Sequence, residues 1–268
     1  MTIWLNGRLL PTAEARIDPA DRGFTLGDGL FETIRIKDGV ARHLPRHLDR
    51  LAAGAALLRL PLPYDFPALS QAMAALIAAT GTKDGVLRLT LSRGTGARGV
   101  LPPADARPTA MMTVAPSAHM TAPAAAVIVH GTRRNEHSPL SRLKSLNYLD
   151  SILARQEAAE RGADEALLLN GSGRLAESSV ANLFLSVGGR LLTPPAADGA
   201  LPGVRRALIL ERHGAVEAPL TPDDLARADE AILTNSLGLR PLLSVDGIPV
   251  GNGTAGAVLA RLLADPDL

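Results

Sequence analysis

SRLKSLNYLDSILARQEAAERGADEALLLNGSGRLAESSVANLF, residues 141–184, is the stretch on which the reading of this chain turns. Leu143, Leu146, Leu149, Ile152 and Leu153 recur at helical spacing, Ser141 suits an N-cap, and Gly162 follows Arg161 as a stop. The spacing predicts a helix with Lys144 in its first turn. The partial positive charge of a helix start and burial against an apolar stripe both disfavour an ammonium group. A lysine placed there tends toward the neutral amine, a nucleophile for carbonyl carbon. Beyond the helix, EALLLNGSGRLAESSVANLFLSV (165–187) reads as strand, Asn170-Gly171 turn and strand. Glu177 lies in the returning half and is the only acid between Glu165 and Asp198. An ordinary surface lysine and a hairpin glutamate would fit the same pattern.

Outward from this stretch, composition sets bounds. A chain of 268 residues can form one large or two modest domains around a sizeable core. With 46% hydrophobic and 21% charged residues and a net charge of +1, nothing suggests disorder, a nucleic-acid partner or a membrane surface. The absence of cysteine excludes disulfides, thiolate metal sites and a cysteine nucleophile. No apolar run reaches bilayer length, and MTIWLNGRLLPTAEARI lacks a basic segment leading into an apolar one, so the expected location is the cytoplasm. His43 and His47 are four apart, but Pro45 lies between them and no carboxylate completes a zinc set, so no metal is expected.

The N-terminal half reads as strands and helices in alternation. Residues 2–10 form a hairpin at Asn6-Gly7, and DRGFTLGDGLFETIRIKDGVARHL holds two strands joined by Lys37-Asp38-Gly39. Pro45 opens a helix with an apolar stripe of Leu48, Leu51, Ala55 and Leu58, from which Arg50 projects. A second helix spans about 66–80, opened by Asp65 and ended by Gly81. Strand GVLRLTLSRG leads into TGARGVLPP; the glycine-rich RGTGARG is not followed by a helix with a P-loop lysine, so it is a weak phosphate signal. TAMMTVAP is a strand, and SAHMTAPAA reads as a linker. The expected domains are 1–115 and 125–268 with a linker at 116–124. In the second half, Pro202 and Gly203 open a helix closed by Gly214, and ADEAILTNSLGLRPLLSVDG reads as strand, turn, strand.

These motifs resemble the fold-type IV, or class IV, family of pyridoxal-phosphate enzymes, which includes D-amino-acid transaminases, branched-chain aminotransferases and 4-amino-4-deoxychorismate lyases. The resemblance covers nearly the whole chain. It implies that Lys144 forms the Schiff base with the cofactor, pyridoxal 5'-phosphate. Glu177, in the motif that continues through Ser178, Ser179, Asn182, Leu183 and Phe184, would hold the protonated pyridine nitrogen. Arg50, in the motif His47 to Leu51, would pair with the cofactor phosphate through its planar guanidinium, although Arg42, Arg46 and Arg59 nearby allow a solvated face instead. Val204 and Arg205 match the helix-start turn that binds the phosphate, with Arg205 in place of the usual threonine; Ser236 matches a further phosphate contact, and Tyr148 a tyrosine that bonds the phenolate oxygen. Phe31 and Thr33 would line the substrate pocket, with core packing an equal reading for Phe31. Arg98 matches the loop arginine for the substrate carboxylate, while Val100 replaces the histidine and Phe31 the tyrosine of that carboxylate trap. Asn235 matches a pocket asparagine of the lyases.

The fold implied is α/β in two domains, a smaller N-terminal α/β domain and a C-terminal barrel-like one, assembled as a homodimer. The expected activity is amino transfer between an amino acid, D-configured ones included, and a 2-oxo acid. The alternative is the lyase reaction giving 4-aminobenzoate and pyruvate, favoured by FETIR, SRGTGARG and TNSL.

Overall fold

A computed structural model describes residues 1–116 and 121–268, so residues 117–120 of the expected linker lie outside the described residues. The chain divides into two compact units, Met1–Ala118 with Lys144–Asn147, and His119–Leu143 with Tyr148–Leu268.

The first unit contains β1 (Thr2–Leu5), β2 (Arg8–Pro11), α1 (Arg22–Leu26), β3 (Gly29–Lys37), β4 (Val40–Ala41), α2 (Leu44–Leu57), α3 (Phe66–Thr80), β5 (Gly85–Ser92) and β6 (Thr109–Ala115). Its six strands form one sheet in the order β2-β1-β6-β5-β3-β4. Period-two alternation sorts β3 into two faces. Ile34 and Ile36 are fully buried with Glu32, while Thr33 and Arg35 are only half-buried. Asp65 caps α3 by accepting from the Ala68 amide, and Gly81 ends it at φ +64°, a left-handed conformation that costs glycine little.

The second unit contains β7 (Ala124–Ile128), α4 (Leu149–Glu160), β8 (Glu165–Leu169), β9 (Leu175–Ser178), β10 (Asn182–Val187), β11 (Arg190–Thr193), α5 (Val204–Arg212), β12 (Val216–Glu217), α6 (Pro222–Ala226), β13 (Glu230–Asn235), β14 (Gly238–Val245), β15 (Ile248–Pro249) and α7 (Ala257–Leu263). The ladder runs β12-β11-β10-β13-β14-β7-β8-β9, with β15 on β14. A bond from the Ser178 amide to the Ala181 carbonyl turns β9 directly into β10, so the ladder curls back on itself. Both faces are covered, so β8, β10 and β13 are buried along nearly their whole length. Leu167, Leu175, Leu183, Leu233 and Leu242 fill one core. Phe184, Ile209, Ile232 and Leu262 pack in a second, and Val127, Val129, Ala154, Ala158 and Leu168 in a third. No helix among the described residues is long and apolar enough to cross a membrane.

One expected element is different. The helix begins at Leu149, with Tyr148 as N-cap, so Lys144 is not in its first turn. Residues 144–147 are spent on another partner: the Phe31 amide donates to the Lys144 carbonyl at 2.8 Å, the Leu146 amide to the Gly29 carbonyl at 3.0 Å, and Leu30 bridges Ser145. Backbone groups paired with β3 cannot also close a helical turn. The buried face of α4 is Ala154 and Ala158, whereas Leu149, Ile152 and Leu153 of the expected stripe are exposed. Small residues, not leucines, permit the close approach to β8.

Candidate functional site

In the first unit the Lys144 segment lies along β3, and Gly29, the first residue of that strand, makes this possible. A Cβ at Gly29 would meet the Leu91 backbone carbonyl oxygen at 2.4 Å as well as Leu146 Cδ1 at 2.7 Å, too close for a side chain. Lys144 is thereby held with Nζ 4.4 Å from the centroid of the Phe31 ring. Arg88 Cζ lies 3.8 Å from the same centroid. Phe31 is 5% exposed, so it serves both packing and the lysine's surroundings. Strand register puts Phe31 opposite Thr90 and Thr33 opposite Arg88, on the sheet face away from Ile34 and Leu87.

The other face carries a buried ionic cluster. Arg50 Nε donates to Glu32 Oε1 at 2.8 Å and Arg50 Nη2 to Glu32 Oε2 at 2.6 Å, while His47 Nδ1 lies 2.6 Å from Glu32 Oε2. Burial alone would raise the Glu32 pKa, but the Arg50 charge and hydrogen bonds, with His47, outweigh it and hold Glu32 below the usual carboxylate range. Burial also pushes the His47 imidazole below its usual value, against the pull of Glu32. Arg50 is therefore oriented by a two-point fork before any ligand arrives.

Arg98 and Val100 stand exposed on the loop after β5. Its backbone is braced from α1: Arg22 Nη1 donates to the Gly99 carbonyl and Nη2 to the Val100 carbonyl, each at 2.9 Å. Arg22 and Arg93 both hold Asp28 at 2.8 Å. Burial works to raise the Asp28 pKa, and these two arginines overcome it to hold the carboxyl low.

The second unit gathers the remaining expected residues. Glu177 is 9% exposed. Its Oε2 accepts from the Leu201 amide at 2.9 Å and from Asn182 Nδ2 at 3.4 Å, and its Oε1 lies 3.1 Å from Arg134 Nη2. Asn182 Nδ2 also donates to the Leu201 carbonyl at 2.8 Å. Leu201 leads through Gly203, the N-cap of α5, to Val204 and Arg205. A Cβ at Gly203 would collide with Asn182 Oδ1, so any larger residue there would displace the Asn182 side chain. Arg205, 6% exposed, sends Nη2 to the Ser236 carbonyl at 3.4 Å. Ser236 sits in the tight turn between β13 and β14, where the Asn235 side chain accepts from the Leu237 amide at 2.9 Å and donates to the Val180 carbonyl at 3.2 Å. Tyr148 is half-buried at the start of α4.

Each unit carries donor chemistry that suits part of a pyridoxal phosphate group. The first unit offers an amine beside an aromatic ring, and the second a carboxylate fixed as an acceptor, with an uncapped helix start next to a guanidinium suited to phosphate. Among the described residues no cluster of three or more metal-binding side chains occurs.

Three further residues emerge only here, Glu32, Arg88 and Arg134, and His47 emerges as a partner of Glu32. Glu32 occupies an inward phase of β3, a buried acid facing the helix that carries Arg50, and that phase was readable in the strand. Arg134 follows Arg133 in a segment that looks like ordinary surface charge, and no local pattern marks it.

The chain matches the family model for class IV amino-transferases over residues 29–245. It is 32% identical to a putative branched-chain-amino-acid aminotransferase of Methanocaldococcus jannaschii, covering 98% of this chain and 94% of the relative. It is 30% identical to a D-alanine aminotransferase of Listeria monocytogenes, covering 98% and 93%. Among solved structures, a 4-amino-4-deoxychorismate lyase from Pseudomonas aeruginosa superimposes with a TM-score of 0.85 at 35% identity, over 99% of this chain and all of the other. Matched along most of its length by the family model and along nearly all of it by these relatives, the chain belongs to the class IV aminotransferase family of pyridoxal-phosphate enzymes.

Proposed function

We propose that the protein is an aminotransferase that moves an amino group between an amino acid with an apolar side chain and a 2-oxo acid. The observation that carries this reading is the shared position of Lys144 Nζ and the Arg88 guanidinium on the Phe31 ring. A proton-transferring amine, a cation for a carboxylate and an apolar wall are what an apolar amino acid requires. When bound, pyridoxal phosphate supplies a ring that stores the electrons released at the substrate's α-carbon. Lys144 Nζ holds the cofactor and moves the α-proton. Glu177 keeps a negative charge for the ring nitrogen. Arg50, the Val204–Arg205 helix start and Ser236 hold the phosphate, and Tyr148 bonds the phenolate oxygen. Thr33 and Asn235 line the substrate side, with Arg98 as a second, loop-borne cation beside Val100. The exposed apolar residues of α4 support a homodimer, which sedimentation at micromolar concentration tests.

A second reading, release of 4-aminobenzoate and pyruvate from 4-amino-4-deoxychorismate, is supported by the SRGTGARG loop and by the 35% identity to the lyase. Two measurements test the proposal. Borohydride reduction of the loaded protein followed by mass spectrometry is expected to leave a pyridoxyl mass on Lys144; a label on another lysine, or none, refutes the cofactor assignment. Amino transfer from a panel of D- and L-amino acids to pyruvate or 2-oxoglutarate is then compared with 4-aminobenzoate release. Fast 4-aminobenzoate release with only traces of amino transfer would put the lyase reading first.

A further inference from the structure

Arg134 forms an ion pair with Glu177, and it comes from a segment with no motif of its own. Its Nη2 lies 3.1 Å from Glu177 Oε1 and also donates to the Ser141 carbonyl, while its Nε donates to the Gly199 carbonyl at 3.0 Å. Its backbone is anchored too, since the Arg134 amide donates to the Leu169 carbonyl at 2.9 Å and the residue bridges Asn170. One guanidinium thus joins β9 to a point three residues before Lys144 and to the loop that leads into α5. The Glu177 carboxylate is held from both sides, by Arg134 on Oε1 and by the Leu201 amide on Oε2.

We propose that Arg134 is a positioning residue for the cofactor, acting through Glu177: it fixes the rotamer of that carboxylate and keeps it an acceptor for the ring nitrogen. This rests on the reading of Glu177 given above. The physical grounds are direct. A carboxylate that is 9% exposed loses much of its hydration, and a charge-assisted hydrogen bond replaces part of what is lost. The planar fork also bonds two backbone carbonyls, so the guanidinium cannot swing away from Glu177 without breaking both. A lysine in its place would keep the charge but lose the fork.

The test is a double-mutant cycle on cofactor affinity, read by fluorescence titration of apoprotein with pyridoxal phosphate, for the native protein, Arg134→Met, Glu177→Gln and the pair. Arg134→Met is expected to weaken binding by about tenfold or more, a typical cost for losing a residue that orients a ligand-contacting group. In the Glu177→Gln background the same change is expected to cost less than about twofold, because the carboxylate it acts through is gone. Arg134→Lys is expected to recover part of the affinity in the native background. An equal loss in both backgrounds would show a merely structural clamp on Ser141 and Gly199 and overturn the proposal, as would no loss at all. Should Arg134→Met not fold, Arg134→Lys in the same cycle decides, with non-additivity expected and additivity refuting. Failure of the native protein to bind pyridoxal phosphate would sink the functional reading itself; normal native binding with additive variants would sink this inference alone.

Discussion

Arg50→Ala should damage the protein twice, and the two losses can be separated. Arg50 is the two-point partner of Glu32, whose side chain is 1% exposed. Removing one member of a buried ion pair leaves the other charge uncompensated, at a cost of roughly 3–5 kcal/mol. For a chain of this size each kcal/mol shifts the melting temperature by ~2–4 °C, so the apoprotein should melt on the order of 6–20 °C lower. The double variant Glu32→Gln, Arg50→Ala removes both charges and should recover much of that stability. Cofactor affinity behaves differently if Arg50 holds the phosphate. Loss of a charged hydrogen-bond partner is worth on the order of 2–5 kcal/mol, so both variants should bind pyridoxal phosphate at least ~30-fold more weakly. Thermal denaturation of apoprotein and fluorescence titration with the cofactor read the two effects. An apoprotein stability unchanged by Arg50→Ala would contradict the buried pair. Native cofactor affinity in the double variant would confine Arg50 to pairing with Glu32.

Acidification provides a further test. His47 has a folded pKa below its ordinary 6.5, so the folded state binds fewer protons than the unfolded chain between the two values. That stability is present above about pH 6.5 and is lost as pH falls through the folded pKa, with Glu32 adding loss in the same direction below its ordinary 4.5. His47→Gln should flatten the melting-temperature profile below pH 6.5, and an unchanged slope would refute this. Gly203→Ala should displace Asn182, costing about 1–3 kcal/mol of stability and loosening Leu201 from Glu177. Cofactor titration should show weaker binding in that variant, and native affinity with native melting would contradict the crowding at Gly203.

Much of the architecture was legible in local pattern. The hairpin at Asn6-Gly7, the capped helix from Phe66 to Thr80, the strand pair around Ser236 and the helix opened by Pro202-Gly203 all follow from turn chemistry and periodicity, because each is stabilised mainly by neighbours in sequence. The motifs around Lys144 and Glu177 likewise point to the family by themselves, since the cofactor's chemistry demands those residue types. The start of α4 was not legible. Leu143 and Leu146 continue a helical spacing, but their segment pairs with β3, and a backbone partner more than a hundred residues away leaves no trace in local periodicity. The same reason hid Arg134, Arg88 and the pairing of Glu32 with His47 and Arg50, although the inward phase of Glu32 was readable. Lysine, arginine and glutamate look like surface residues one at a time. Only tertiary structure decides which of them lose their water and must find each other.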